Sequence, residues 1–190
     1  MSTIVSKPLR ADARRNREKV LAAAATAFAE CGLDAQIEDI AGRASVGIGT
    51  VYRHFPTKDA LIAALAAAHF ERLADIVEGA VHGDDPWEDF AGAIWRCAES
   101  TAGDVALCEI IGGHPRAVEA AAVAQQRLQD ASTKLIAGAR AQGTIREDAT
   151  VQDIRTIMCG FGHVAAAQRA GGSQDWRRYL TIALDGLRAR

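Results

Sequence analysis

The sequence predicts an all-α protein: an N-terminal three-helix domain with a helix-turn-helix, joined to an α-helical body, with about nine helices in all. Three observations predict this class. Of the 190 residues, 49% are apolar, mostly alanine and leucine, and only 5% are aromatic. Apolar residues recur at intervals of three and four along most of the chain, as on one face of a helix. Alternation of apolar and polar residues, which is typical of strands, is nearly absent.

Charge divides the chain into a basic front and an acidic rear. Residues 1–58 hold nine Lys and Arg against six Asp and Glu, a net of +3, whereas residues 59–190 have a net of −5. This distribution indicates a localised contact with a polyanion and not a basic coat over the whole surface. We therefore expect a flexible basic tail at 1–10, a helix-turn-helix domain at 11–58 and a helical body at 59–190.

The cysteines and the hydropathy indicate the compartment. The four cysteines are far apart and form no C-x-x-C pair, which favours reduced and mostly buried thiols. They are Cys31, Cys97, Cys108 and Cys159. The chain shows neither a signal peptide nor an apolar run of membrane-spanning length. We expect a cytoplasmic protein with no membrane partner.

The first helix is expected to run from an N-cap at Asp12 to about Cys31, where Gly32 ends it. Arg14 and three further basic residues occupy its first turns, at the end where the helix dipole disfavours cations. A solvated polar face would explain them. Contact with phosphates is the alternative that we favour because of the segment that follows.

The segment Gln36–Phe55 reads as two short helices joined by a tight turn at 44–46. The second of them, at about Gly47–His54, turns Val51 and Phe55 inward. Its other faces carry Ile48, Gly49, Thr50, Tyr52, Arg53 and His54. An ordinary surface helix seldom combines these types, whereas a recognition helix uses them for close backbone approach, phosphate hydrogen bonds and base-edge contacts.

Lys58 opens the fourth helix directly after the N-cap Thr57, where the helix dipole disfavours a cation by ~0.3–1 kcal/mol. A phosphate bound at this helix start would offset that cost. We therefore expect Lys58 to contact phosphate.

Residues 37–61, I-E-D-I-A-G-R-A-S-V-G-I-G-T-V-Y-R-H-F-P-T-K-D-A-L, follow an Arg-rich helix that ends in C-G-L. Together they resemble the N-terminal domain of the TetR family of bacterial transcriptional regulators, which are usually repressors. The resemblance covers about residues 10–65, and T-V-Y-R-H-F-x-x-K-x-x-L is its most specific part. It implies a homodimer on a palindromic DNA operator, with half-sites about one helical turn apart or a multiple of it.

Carried over by position, the resemblance assigns roles to single residues. It implies phosphate contacts for Gln36, Thr50, Tyr52 and Lys58, base contacts for Ile48, Gly49 and His54, and either role for Arg53. The chain departs from the family at Gly47, often Ser or Thr, and at Ile48, often polar or charged. Ile48 cannot read hydrogen bonds, but it can pack on a thymine methyl group.

The body is expected to contain helices at about 86–100, 105–111, 115–142, 151–170 and 174–188. The last two are apolar on more than one face, so each must be covered on more than one side. A four-helix bundle between two subunits would cover them, and a core within one chain is the alternative. The expected interface comprises Ile157, Gly160, Val164, Ala167, Trp176, Tyr179, Leu180, Leu184 and Leu187.

The family resemblance also implies an effector pocket between the helices of the body. The candidate lining residues are Trp95, Cys108, His114, Met158, Phe161 and His163. Each of them is also explained as plain core, because a site requires polar groups that converge on an apolar cavity.

The sequence contains none of the common catalytic motifs, and we expect no enzymatic activity, no cofactor and no metal. His82, Asp84 and Asp85 read as a polar loop. The predicted function is a DNA-binding transcriptional repressor that a small-molecule effector, bound in the C-terminal domain, releases from DNA. The alternative is a helix-turn-helix protein whose body only dimerises or binds a protein partner, without a small-molecule effector.

Overall fold

A computed structural model of the chain describes residues 6–80 and 85–189. These form ten α-helices and no β-strand, which confirms the all-α class. The helices are α1 (Ser6–Cys31), α2 (Ile37–Arg43), α3 (Ile48–His54), α4 (Lys58–Gly79), α5 (Pro86–Gly103), α6 (Val105–Gly112), α7 (Pro115–Ala120), α8 (Ala122–Ala141), α9 (Val151–Arg169) and α10 (Trp176–Leu187). A 3-10 turn at Gly32–Asp34 follows α1. No helix of the described residues is long and apolar enough to cross a membrane.

The start of α1 corrects the expected tail. Residues 6–10 are helical, so the expectation of a tail at 1–10 is wrong for them; residues 1–5 lie outside the described residues. Asp12 lies inside α1 and is not its N-cap. Its carboxylate accepts a hydrogen bond from Arg15 one turn later, and such local charge pairs stabilise the exposed first turns of a helix.

One predicted helix is two. The expected helix at 115–142 divides at Ala121, and this division accounts for the tenth helix. The Ala121 N–H lies 3.1 Å from both the Ala117 and Val118 carbonyl oxygens, a tightened turn that ends α7. The break carries no glycine or proline and is set by packing, because α7 and α8 belong to different parts of the core.

The core consists of two hydrophobic clusters that share α4. The front cluster joins α1, α2 and α3 to Leu61 and Leu65 of α4. The rear cluster joins Leu73 and Val77 of α4 to α5, α8, α9 and α10. The front cluster also includes Leu107, Ile110 and Ile111 from α6 and Ala117 and Ala121 from α7. The domain bounds 11–58 and 59–190 stay a prediction, but apolar packing crosses position 58 extensively.

The cysteines are less buried than expected. Cys97 is buried and Cys108 is partly buried, but Cys31 and Cys159 are exposed. The expectation of mostly buried thiols is therefore wrong for these two. Cys31 is the last residue of α1, and Cys159 lies on the outer side of α9, opposite the buried Phe161 and Ile154.

His69 lies on α4 between the two clusters and is 5% exposed. Its Nε2 atom lies 3.8 Å from Cys108 Sγ, and its Nδ1 atom has no partner among the described residues. Burial, assisted by the nearby Arg72 cation and opposed by Asp104, lowers the pKa of His69 to about 4. The imidazole is therefore neutral in the folded protein at neutral pH.

We expect His69 to make folding sensitive to acid. Its pKa is about 4 in the folded chain and 6.5 in the reference state, so the unfolded chain binds more protons between these values. The free energy of unfolding should therefore fall as the pH drops from 6.5 towards 4, by about 3 kcal/mol from this group. Urea titrations at several pH values, comparing the wild type with His69→Gln, measure this contribution.

His163→Gln is the control, because His163 is exposed. It should retain the full acid sensitivity of the wild type. Equal acid sensitivity of His69→Gln and the wild type would contradict the assignment to His69.

Candidate nucleic-acid interface

The helix-turn-helix is built from α2, α3 and a tight turn between them. Ile40 and Ala41 of α2 are buried as expected, and so is Ala44, the C-cap residue of α2. Ser45 has a φ of 54°, in the left-handed region that side chains seldom adopt. The Val46 N–H then donates to the Ala41 carbonyl at 3.1 Å, which closes the turn. This geometry fixes where α3 begins.

α3 has one buried face and one exposed face. Val51 is fully buried, and Phe55, which follows the helix, is 4% exposed. On the opposite side Ile48 is 40% and Tyr52 45% exposed. Gly49 and Arg53 are also exposed, and Thr50 is half-buried. Ile48 and Tyr52, four residues apart, thus form an apolar and aromatic ridge on the outer surface of the helix.

His54 does not face outward as expected. Its Nε2 atom is buried without a partner among the described residues, and its ring lies 6.2 Å from that of Phe55. At 100° per residue, position 54 falls between outward Arg53 and inward Phe55, and here its ring edge turns inward. The expected contact of His54 with the bases is corrected for this nitrogen, which is not presented to solvent.

Two further expected phosphate ligands lie outside the recognition helix, on α1 and at the start of α2. Arg14 is exposed and lies 3.8 Å from the carboxylate of Glu18. Gln36 is the N-cap residue of α2, and its Nε2 donates to the Asp34 carbonyl at 2.7 Å. Both side chains are at the surface, and their contact with phosphate stays a prediction.

Lys58 is held within the chain. Its Nζ donates to the carbonyl oxygens of Leu33 and Ala35, the latter at 2.8 Å, and lies 5.6 Å from the centre of the Phe28 ring. These carbonyls and this ring offset the unfavourable position at the start of α4. The position of Lys58 at the helix start therefore does not require a bound phosphate, which corrects the expected reason for one. The ammonium group still has a third N–H that it can donate to a phosphate.

The six effector-pocket candidates do not converge on one cavity. Phe161 is fully buried and packs edge-on against Trp176 at 5.2 Å. Trp95 contacts the same indole at 5.9 Å, and Met158 packs on the rear cluster. These three residues are core, because their aromatic and apolar neighbours account for them.

The other three candidates lie elsewhere. Cys108 is beside His69, where burial raises the pKa of its thiol to about 12. His114 Nδ1 donates to the Ile110 carbonyl at 2.7 Å. His163 is exposed, and its Nδ1 donates to the Cys159 carbonyl at 2.9 Å. The expectation of one shared pocket is therefore wrong for this set.

A cleft of about 550 Å³ lies instead between the end of α1, α6 and the end of α9, and we call it the interdomain cleft. Of the six candidates, it contains only His114. Its other lining residues are Phe28, Ala29, Gly32, Leu33, Ala106, Glu109, Ile110, Gly113, Ala166, Arg169 and Ala170. No local sequence signal identifies it, because its walls come from three distant segments.

The expected dimer interface divides into two groups. Trp176, Leu180, Leu184 and Leu187 are 0–6% exposed in the single chain and belong to the rear cluster. They cannot supply an interface, because the chain's own core covers them. Ile157, Gly160, Val164, Ala167 and Tyr179 are partly exposed and remain predicted interface residues.

Gly160 has a role inside the chain. A Cβ atom at this position would overlap Tyr179 Oη, which donates to the Ile157 carbonyl at 3.1 Å. The small residue thus permits the close crossing of α9 and α10 of one subunit. From the sequence we expect Gly160 in a contact between two subunits, whereas this contact lies within one subunit.

These features define a helix-turn-helix DNA-binding protein: a tight turn, a short helix exposed on one side, and a helical body packed behind it. The chain belongs to the TetR family. The family model described as bacterial regulatory proteins, tetR family, matches residues 20–65. A second model, described as the C-terminal domain of SbtR-like transcriptional regulators, matches residues 84–189, more than half of the chain.

Similar proteins agree with this assignment. The TetR transcription regulatory protein from Mycobacterium vanbaalenii is 33% identical over 96% of this chain and 100% of its own, with a TM-score of 0.69. The TetR transcriptional regulator SCO0520 from Streptomyces coelicolor is 35% identical over 91% of this chain and 98% of its own, also with a TM-score of 0.69.

A curated relative matches the front alone. The uncharacterised HTH-type transcriptional regulator YvdT of Bacillus subtilis (strain 168) is 43% identical over 74 residues, which are 38% of this chain and 37% of that protein. The family to which the chain belongs consists of transcriptional regulators and not of enzymes.

We expect Lys58→Met to destabilise the protein by about 1–3 kcal/mol. The variant keeps an apolar stem near Phe28 but leaves the Leu33 and Ala35 carbonyls without their charged donor. Urea unfolding measures the loss. Lys19→Met is the control, because Lys19 is exposed on α1, and it should change stability little. An equal loss in the two variants would contradict the role of the Lys58 ammonium.

Proposed function

We propose that this regulator is a homodimeric repressor that binds a roughly palindromic operator and leaves it when a small effector binds the body. The observation that carries the proposal is the exposed face of α3, where Ile48 and Tyr52 project from a helix anchored by buried Val51. An exposed apolar and aromatic ridge beside Arg53 suits the major groove, where methyl groups, base edges and phosphates are all within reach. The family's usual role supports repression.

In vitro selection of DNA bound by the full-length protein tests the proposal. We expect selected sites with two-fold symmetry, because a dimer places two identical recognition helices in successive major grooves. Half-sites should be about one helical turn, or a multiple of it, apart. Selected sites without symmetry, or no enrichment, would contradict it.

A second candidate function keeps DNA binding and dimerisation but has no small effector. The scatter of the six pocket candidates favours it. Thermal unfolding in a metabolite panel separates the two functions, because a ligand that binds only the folded chain raises its stability. To change DNA affinity, an effector must also bind more tightly to one of two dimer conformations that differ in the distance between the recognition helices.

We expect one T·A pair in each half-site to contact Ile48. Replacing that thymine by uracil removes only its methyl group, and binding should weaken by about two- to tenfold if the Ile48 side chain packs against it. Gel-shift titrations with single thymine-to-uracil replacements identify the position. The Ile48→Ala variant is the control, because it should no longer distinguish the two bases there.

We propose that the dimer interface is formed by the outer sides of α9 and α10. His163 and Ala167, one turn apart on α9, are exposed and half-buried respectively. On α10, Ile182 is 56% exposed and lies one turn from Tyr179. A bundle of two such helix pairs would cover Ile182, which otherwise remains an exposed apolar side chain.

We expect Ile182→Glu to weaken dimerisation by at least about tenfold, because it places a carboxylate in an apolar contact. Sedimentation equilibrium measures the dimer dissociation constant, and operator affinity should fall with it. The control is Val123→Glu on α8, where the valine is 87% exposed and far along the chain from both helices. Dissociation by Val123→Glu and not by Ile182→Glu would place the interface elsewhere.

A further inference from the structure

Arg169 links α9 to α1, the first helix of the recognition unit, which we define as α1, α2 and α3. It lies in the last turn of α9, and its Nη2 atom donates to the Ala29 carbonyl of α1 at 2.7 Å, across 140 positions of sequence. Ala29 is in the last turn of α1, where carbonyl groups have no N–H partner within the helix. α1 has no basic residue in its own last turn. Arg169 therefore supplies from the rear the cation that the end of this helix lacks.

The guanidinium of Arg169 has further capacity to bind. It carries five N–H groups, and its only hydrogen bond within the described residues is the one to Ala29. It forms no ion pair within residues 6–80 and 85–189. A planar fork of donors that holds only a neutral carbonyl is well suited to a carboxylate, which accepts two parallel hydrogen bonds from it.

The interdomain cleft places this fork beside an apolar surface. Phe28, Leu33, Ala106, Ile110 and Ala166 contribute to its walls, and its volume of about 550 Å³ is that of a small-molecule site. Glu109 is the one acidic residue in the lining, and it forms no ion pair within the part of the chain that the structure describes. A single carboxylate can pair with Arg169, whereas a dianionic phosphate ester would meet stronger repulsion from Glu109.

We propose that the interdomain cleft binds a small organic monocarboxylate with an apolar body. The carboxylate accepts a parallel pair of hydrogen bonds that includes the Arg169 Nη2 donor, which leaves the Ala29 carbonyl because a charged acceptor binds more strongly than a neutral one. The apolar body covers Leu33, Ala106 and Ala166. This inference rests on the proposed regulated DNA binding, for which it supplies the site and the chemical class of the effector.

Binding would act on the recognition helix through the end of α1. Its last turn and the 3-10 turn after it are held by two distant cations, Arg169 from the rear and Lys58 from α4. Without the hydrogen bond from Arg169 to Ala29, the end of α1 keeps only its contact with Lys58, which lies at the start of α4 beside the helix-turn-helix. The position of α9 is then no longer fixed to the helix on which α2 and α3 pack.

Calorimetric titration of the full-length protein tests the site without DNA. The probes are octanoate, 3-phenylpropanoate and indole-3-acetate, with 3-phenylpropanol and 3-phenylpropyl phosphate as the uncharged and dianionic comparisons. At least one carboxylate should bind with a dissociation constant below about 1 mM, and more tightly than both comparisons. No binding by any of the three, or tighter binding of the alcohol or phosphate, would overturn the proposal.

Four variants locate the bound carboxylate. Arg169→Gln should weaken its binding at least about tenfold, the worth of a hydrogen-bonded charge pair, and Arg169→Lys should weaken it less. Glu109→Gln should strengthen it. Arg155→Gln is the matched control, because Arg155 is exposed on the same helix and does not line the cleft. Unchanged affinity in folded Arg169→Gln and Arg169→Lys, checked by circular dichroism, would overturn the site.

Operator binding tests the coupling separately. A saturating carboxylate should lower the operator affinity of the wild type, and Arg169→Gln should bind operator weakly and without response to the probe. Binding of the probe in the cleft with unchanged operator affinity would refute the coupling. A wild-type protein that selects no DNA would refute the proposed function, while the calorimetric result would still decide whether the cleft is a site.

Discussion

The structure depends on one constraint, which is that two hydrophobic cores share a single uninterrupted helix. α4 covers 22 residues, about 33 Å at the rise of an α-helix. Its first half packs with the recognition unit through Leu61 and Leu65, and its second half packs with the rear through Leu73 and Val77. α8 fixes the same helix from outside, because Arg127 donates to Asp75 at 2.7 Å and to Glu78 at 3.0 Å. One continuous helix therefore joins the two clusters directly.

The front of the molecule was predictable because its contacts are local. Ile40 and Val51 lie eleven positions apart on helices joined by a tight turn, and helical periodicity alone assigns their buried faces. The end of α1 was also predictable from the sequence, because Gly32 adopts a φ of 58°, a conformation that few other residues accept. His54 is the exception. Its position on the boundary between the two faces leaves the ring orientation to packing, which periodicity does not specify.

In the rear of the molecule the helices could be predicted from the sequence, but the contacts between them could not. The periodicity of Trp176 and Leu184 shows that one face of α10 is buried, but it does not distinguish the chain's own core from a second subunit. The break at Ala121 lies in a run of alanines, whose side chains carry no directional signal. The bond between Arg169 and Ala29 joins segments 140 residues apart, and a basic residue in the last turn of α9 is already explained by that helix's own dipole.

The membership of α6 and α7 in the front cluster bears on how proteins of this kind can be recombined. Leu107, Ile110 and Ala117 cover apolar surface of the recognition unit, although they lie some fifty to sixty positions beyond it. A chimera joined at the start of α4 would replace these residues with those of another protein's helical body. The apolar contacts beneath α1 would then no longer match in shape. The smallest transplantable module of this chain is therefore discontinuous in sequence: the helix-turn-helix, the first half of α4, and the two short helices that close it from behind.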